Sequence, residues 1–171
     1  LSRTRITDQG LKTLSSKLSR LYLNGTQISE AAWPLILKCA QLRSLGIGNT
    51  HITQLNLQPL HALPHLISIT LDAEFLSSEN IVILNALPDL KSLWISDCQI
   101  SREQLKRISQ LKHITELRFR SVNFPERTIE ELGKAEQVTF LTIHQSSLSA
   151  QEVARLREVL PHCRIYHSSS K

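Results

Sequence analysis

Leu18-Ser-Arg-Leu21-Tyr-Leu23 opens a series of short runs in which apolar residues stand at the first, fourth and sixth positions. The run returns without insertion at a fixed period of about 24 residues. Its last residue is in turn Leu23, Ile47, Leu71, Ile95, Phe119 and Ile143. A fixed period of this length indicates a solenoid, in which each unit buries one face against its neighbours. Such a chain has no central pocket, so the outward side chains of its strands form the surface on which a function would lie.

A second position follows each run at a constant distance. Three residues after the run stand Thr26, Thr50, Glu74, Cys98, Val122 and Ser146, and an apolar residue returns two positions later. Together these positions give LxxLxLxx(N/C)xL, the pattern of the leucine-rich repeat.

The chain also resembles bacterial leucine-rich repeat proteins whose units read LxLxxTxITDxGLxxL. Thr4-Arg-Ile6-Thr-Asp-Gln-Gly10-Leu11-Lys-Thr-Leu14 matches almost all of that wording, and the segment from Val153 to Ile165 is similar to the closing segment of such proteins. The resemblance implies an α/β fold: a right-handed solenoid with a parallel sheet on its concave face and short helices or turns on its convex face. The same repeat serves many unrelated partners, so the resemblance specifies architecture far more than function.

The repeats together form a single domain. We expect a partial repeat at 1–17, six repeats at 18–159, a terminal strand at 160–167 and a tail at 168–171. Leu1-Ser-Arg-Thr4-Arg-Ile6 is interpreted as a strand that lacks its beginning, and Ile165 follows Ile143 at slightly less than one full period, so eight parallel strands are predicted. Because the sequence begins inside a repeat and contains no Met, we expect it to be the C-terminal part of a longer protein. An open N-terminal edge predicts self-association, or fraying of residues 1–17.

Four convex helices are predicted from apolar residues at helical spacing, roughly at 78–86, 101–109, 125–134 and 149–158. Ser101-x-x-Gln104 and Ser149-x-x-Glu152 fit capping boxes, and Pro125 suits a first helical position.

The second and third repeats have weaker helix signals. Pro34 would fall inside a helix begun at Ser29, and Leu55-x-Leu57-x-Pro59 alternates instead of recurring every three or four residues. Short turns or an extended segment are expected in both places.

Several classes of function are disfavoured by composition. No stretch approaches 18 consecutive apolar residues, so no membrane segment is predicted, and no signal peptide opens the chain. Cys39, Cys98 and Cys163 lack CxxC spacing, so we expect neither a metal site nor a disulfide framework, and no cofactor. Cys98 and Cys163 are expected to be buried thiols, which suits a cytoplasmic setting.

Catalysis is also disfavoured. The seven His residues are scattered, with no recognisable nucleophile beside them, and no glycine-rich run could cradle a phosphate. The net charge of +5 makes nucleic acid worth weighing as a ligand. It is the weaker hypothesis, because Asp72, Asp97 and Glu116 share the candidate surface and no Lys/Arg stripe runs along it.

The outward positions of the strands form two columns across the sheet. The central column is predicted to be Tyr22, Gly46, Thr70, Trp94, Arg118, Thr142 and Arg164, and the second column Asn24, Gly48, Asp72, Ser96, Arg120, His144 and Tyr166. Neighbouring strands lie about 4.8 Å apart, which brings Trp94, Arg118 and Arg120 into or near contact. Glu116 and His144 stand at their edge, and these five residues are called the concave patch below.

Two interpretations of the concave patch remain open. An exposed Trp beside two Arg has the composition of an interface hot spot. Alternatively, Arg118 simply stacks on Trp94 and pairs with Glu116, covering an exposed sheet. We expect a non-catalytic module that binds a protein partner of unknown identity through Tyr22, Trp94, Glu116, Arg118, Arg120, His144 and Arg164. The alternative function is a substrate-recognition or scaffolding arm of an enzyme, such as a ligase or kinase, encoded upstream.

Overall fold

The computed structural model describes residues 1–52 and 56–168, which form a right-handed leucine-rich repeat solenoid. Seven parallel strands make one open sheet in the order of the sequence. They are β1 Arg20–Tyr22, β2 Ser44–Gly46, β3 Ser68–Leu71, β4 Ser92–Gln99, β5 Glu116–Asn123, β6 Phe140–His144 and β7 Arg164–Ser168. Neighbouring strands pair at a register of one repeat period at every step, from Leu21↔Leu45 to Leu141↔Ile165.

Two ladders of inward side chains form the core. The residues that end the six runs, from Leu23 to Ile143, are each 0% exposed, and the ladder two positions earlier is equally buried from Leu21 to Leu141. This follows from strand geometry, because alternate side chains point to the same face and the constant register stacks equivalent residues. Burying each such side chain contributes roughly 1.5–3 kcal/mol. Truncation of a central member such as Ile95 would therefore break contacts with both neighbouring repeats.

The convex side carries short helices. They are α1 Trp33–Ile36, α2 Ser78–Asn85, α3 Arg102–Ile108, α4 Thr128–Leu132 and α5 Ala150–Val159, with 3-10 helices at Asp8–Leu11, Glu30–Ala32, Gln58–Ala62 and Ala73–Phe75. Both predicted capping boxes are present. The Ser101 N–H donates to Gln104 Oε1 at 2.8 Å, and the Ser149 N–H donates to Glu152 Oε2 at 2.8 Å. These bonds satisfy N–H groups that a helix start otherwise leaves free.

One helix start was predicted wrongly. Helix α4 begins at Thr128, not at Pro125, because Arg127 adopts a left-handed conformation with φ of +62°. The Thr128 hydroxyl donates to the Pro125 carbonyl at 2.6 Å, so Pro125 belongs to the turn before the helix.

The second repeat forms Glu30–Ala32 and α1, and Pro34 lies in the first turn of α1, where its missing N–H needs no partner. On the convex side of the third repeat, the described residues form the 3-10 helix Gln58–Ala62. Both segments are short, but they are helical, which corrects the expectation of turns or an extended segment. The part of the third-repeat prediction that concerns Leu55 lies outside the described residues.

The prediction of eight strands was wrong, because the first repeat contributes a turn and no strand. The Thr4 hydroxyl donates to the Leu1 carbonyl at 2.6 Å, as Thr26 does to Leu23 at 2.6 Å. Leu1 is therefore the equivalent of the last strand residue, and Thr4-Arg-Ile6 is the equivalent of the turn Thr26-Gln-Ile28. Hydrogen bonds from Arg3 N to Asn24 O and from Gln27 N to Ile6 O attach this turn to the next repeat.

A left-handed residue recurs at the repeat period, either just after a strand or, in β4 and β5, within its last residues. Positive φ values occur at Gly25, Asn49, Asp97, Ser121 and Gln145, whereas the fourth repeat places Ala73 in a 3-10 helix instead. Asn49 reaches across that repeat, and its Nδ2 lies 3.4 Å from the carbonyl oxygens of both Ser96 and Asp97. A Cβ at Gly48 would lie 2.9 Å from the Leu71 carbonyl carbon, so only glycine permits this close approach.

The N-terminal edge is partly covered. Asp8 accepts hydrogen bonds from Ser29 N at 2.9 Å and from Ser29 Oγ at 2.8 Å, and Leu11 is buried in the core. Self-association or fraying of residues 1–17 stays a prediction.

The cysteines are less enclosed than expected. Cys39 is buried, but Cys98 and Cys163 are only half-buried, which corrects the prediction of two buried thiols. Cys98 lies in the turn-proximal end of β4, and Cys163 lies just before β7, an edge strand with a neighbour on one side only. All three thiols are free. Among residues 1–52 and 56–168, no helix is long and apolar enough to cross a membrane.

Candidate protein-binding face

Trp94 and Arg118 meet on the concave face, as their positions in adjacent strands predict. The Arg118 guanidinium carbon lies 4.5 Å from the centroid of the Trp94 ring, within the range of a cation–π interaction. The indole N–H donates to Ser92 Oγ at 2.9 Å, which fixes the ring orientation. Trp94 nevertheless keeps 38% of its surface exposed. The ring is therefore held in place while its free surface faces the groove.

Glu116 holds the other side of Arg118. The Arg118 Nε donates to Glu116 Oε1 at 2.9 Å, and Nη2 contacts the same oxygen. The guanidinium also lies 5.6 Å from the ring of Phe140, the outward residue of β6 beside Glu116. Arg118 is thus sandwiched between two aromatic rings and anchored by one carboxylate. This geometry matches the interpretation of the patch as a packed cluster, and it also immobilises the groups that a partner would meet.

Arg120 and His144 occupy the second column, paired in register across β5 and β6. His144 Nδ1 is hydrogen-bonded to Ser168 Oγ on β7. Arg120 is exposed, and its register neighbour on β4 is Ser96, which carries no charge. Within the described part of the chain Arg120 has no ion pair and no side-chain hydrogen bond. It is the uncompensated charge of the concave patch.

Tyr22 and Arg164 lie apart from the concave patch. Tyr22 stands on β1, three strands from Trp94, although both line one groove of about 860 Å³. Arg164 was assigned to the wrong column: it pairs with Phe140, and Tyr166 pairs with Thr142 and takes the last place in the central column. The error came from aligning Ile165 with Ile143, whereas the sheet keeps its constant register and aligns Ile165 with Leu141. Arg164 still faces outward, one pleat along the strand.

Two features of this face were missed by sequence reasoning. Phe140 and Tyr166 pack with ring centroids 5.2 Å apart, extending the aromatic surface to β7. The repeat period, continued from Thr142, would have placed Tyr166 there. Arg3 also reaches Asp97, with its Nη2 at 3.0 Å from both carboxylate oxygens. No sequence signal links these residues, which are 94 positions apart.

Within residues 1–52 and 56–168, no group of three or more His, Cys, Asp or Glu side chains is placed to hold a metal ion.

The fold and this surface define the class of the molecule as a leucine-rich repeat solenoid with an aromatic and arginine-rich concave face. An internalin from Listeria monocytogenes aligns with 91% of this chain at 15% identity and a TM-score of 0.52. A leucine-rich repeat protein from Leptospira interrogans aligns with 89% at 22% identity and a TM-score of 0.50. At such identities the likeness establishes the fold alone.

This chain spans less than half of the two structures that it resembles, covering 43% of the internalin and 38% of the Leptospira protein. The sequence matches no protein-family model, and comparison with curated proteins finds no relative.

Proposed function

We propose that this domain is a non-catalytic protein-binding module that engages another protein through the concave face of its sheet. The observation that carries the proposal is the position of Trp94, which is 38% exposed in the middle of the groove and fixed by Arg118 and Ser92. A Trp side chain offers up to about 250 Å² for burial, so roughly 90 Å² remains available. Burying that area contributes about 2 kcal/mol to a complex.

The packing within the concave patch favours binding rather than competing with it. A side chain that already occupies one rotamer loses little conformational entropy when a partner covers it. Trp94 and Arg118 satisfy this condition through the contacts with Ser92 and Glu116. Hot spots at interfaces are enriched in these two residue types and lie near the centre of the buried area. Trp94 stands on β4, the middle strand of the seven.

The second candidate function is that of a substrate-recognition or scaffolding arm of an enzyme encoded upstream. The same exposed Trp94 would support it, because substrate recognition also needs an accessible apolar anchor. The concave face would serve recognition in the same way, so the two candidates differ in what is attached to the domain.

The test uses wild-type protein and three variants as parallel baits for affinity purification, followed by titration of the purified partner. Trp94→Ala and Arg118→Glu should each weaken binding by about 1–2 kcal/mol or more, measured where urea unfolding shows both variants folded, because each change also removes packing within the concave patch. Arg155→Glu on the convex helix α5 is the control and should leave affinity intact. Arg107 is a poorer control, because its Nη1 donates to the Leu76 carbonyl at 2.9 Å. Loss of binding in the convex variant, with both concave variants unaffected, would reject the concave face.

A further inference from the structure

The carboxylates that line the concave face already have partners. Asp97 is paired with Arg3 at 3.0 Å, and Glu116 accepts from Arg118 Nε at 2.9 Å. Asp72 accepts from the backbone N–H groups of Asn49 at 2.9 Å and Glu74 at 3.1 Å. Arginines therefore pair with Asp97 and Glu116, whereas Asp72 is hydrogen-bonded to neutral N–H groups and keeps its charge.

Three arginines on the same face are not paired with a carboxylate. Arg120 lines the groove together with Asp97, which is already paired with Arg3, and Arg20 and Arg164 face outward on the first and last strands. Within residues 1–52 and 56–168 none of the three guanidinium groups has an ion pair or a side-chain hydrogen bond. A guanidinium forms its strongest hydrogen bonds with carboxylate or phosphate oxygens, so the unsatisfied groups match an anionic partner.

Three exposed aromatic side chains lie at regular intervals on the same face as these arginines. Tyr22, Trp94 and Tyr166 are 43%, 38% and 55% exposed and occupy the central column three strands apart. Three strand spacings amount to about 14 Å. Between Tyr22 and Trp94 the central column holds Gly46 and Thr70, which are small and buried, and the Asn24 side chain lies over Gly46. A ligand that crosses the strands would thus meet aromatic surface at regular intervals.

An extended segment matches these intervals and a helix does not. An extended chain advances about 3.4 Å per residue, so about 14 Å corresponds to four residues, and residues i and i+4 lie on the same side. An α-helix advances about 1.5 Å per residue and turns about 100°, so the same distance takes nine or ten residues and leaves the second side chain roughly 80° to 180° away from the first.

We infer that the partner presents an extended segment that crosses the strands, with apolar side chains four residues apart and a carboxylate near them that pairs with Arg120. This inference rests on the proposed function, because it names the kind of protein segment that the concave face recognises. Apolar residues of the segment contact Trp94 and either Tyr22 or Tyr166. Its carboxylate pairs with Arg120, whose guanidinium has no ion pair among residues 1–52 and 56–168.

The test is selection from a random 12-residue peptide display library against the immobilised wild-type chain and, separately, against Arg120→Glu and Arg155→Glu. Wild type and the Arg155→Glu control should enrich peptides with two apolar residues four positions apart and an Asp or Glu near them. Arg120→Glu should lose that acidic preference. A synthetic peptide from the wild-type pool should bind Arg120→Glu at least about tenfold more weakly, and its affinity should fall as salt is added.

The outcomes separate this inference from the proposed function. If enriched peptides lose binding to Trp94→Ala but have no acidic preference, the concave face binds protein and the inference is wrong. If single-stranded DNA binds as tightly as the peptides and survives Trp94→Ala, the free arginines recognise a polyanion instead, which also overturns the inference. If no peptide is enriched, the inference of an extended segment is wrong, and the titration of the purified partner still decides the proposed function. If enriched peptides bind Trp94→Ala and Arg118→Glu as well as wild type, both proposals fail.

Discussion

The Cys98 thiol should react slowly in the folded protein. Burial is the main cause that raises its pKa from the ordinary 9.0 to about 11, and the nearby carboxylates of Asp72, Asp97 and Glu74 raise it further, against one backbone hydrogen bond. The thiolate is the reactive form, so this rise lowers the reactive fraction near neutral pH about a hundredfold. A more basic thiolate is the better nucleophile, which recovers about tenfold. A roughly tenfold slower reaction than in the unfolded chain therefore remains, before any steric shielding is added.

Iodoacetamide labelling followed by peptide mass mapping measures the rate at each cysteine, with and without urea. Cys39 supplies the internal control, because it is buried and should be modified only through unfolding. The pH profile is the sharper readout. In the folded chain the labelling rate at Cys98 should keep rising as the pH is raised from 9.0 towards its pKa of about 11. In urea the rate should level off near pH 9.0, the ordinary pKa of a thiol. Equal rates in both states, with a common plateau near 9.0, would refute the assignment of Cys98 to a desolvated position.

Two further predictions concern stability. Asn80→Ala should destabilise the domain by roughly 2–4 kcal/mol in urea unfolding, because the buried Asn80 side chain bonds Leu57 N at 3.0 Å and Phe75 O at 2.9 Å. The matched control Asn85→Ala, which removes a similar bridge at the surface, should cost about 1 kcal/mol or less, and equal losses would contradict the argument from burial. Residues 1–17 should exchange amide hydrogens faster than β4, or be protected only where sedimentation shows a dimer. Equal protection in a monomer would contradict the open edge.

Much of the fold could be predicted because each repeat carries the same short pattern of apolar and polar positions. The constant repeat period and the alternation of inward and outward positions predict the sheet, its core ladders and the meeting of Trp94 with Arg118. The capping boxes at Ser101 and Ser149 are equally local, since each needs only a residue three positions away. Predictions from such local patterns hold because secondary structure, core packing and capping all favour the same arrangement.

Prediction failed where a local pattern had two possible registers. Leu1-Ser-Arg-Thr4-Arg-Ile6 could be a strand or a turn, and only the hydrogen bonds to the second repeat decided for the turn. Ile165 could follow Leu141 or Ile143, and pairing with β6 decided for Leu141, which moved Arg164 along its strand. Both choices depend on hydrogen bonds to the neighbouring repeat. A short stretch of sequence does not show which residues of that repeat will be the partners.

The sequence alone thus determined the leucine-rich repeat solenoid, its buried ladders and the face on which Trp94, Arg118 and Arg120 stand. The reason is that equivalent positions of successive repeats are buried, or exposed, in the same way. Only the tertiary structure decided how charges on that face are satisfied. Arg3 reaches Asp97 across 94 positions, and Arg118 lies between Trp94 and Phe140, while Arg120 is left free. The physical reason is that ion pairs form between side chains that are close in space, and that closeness depends on how each turn bends and on where each strand pairs.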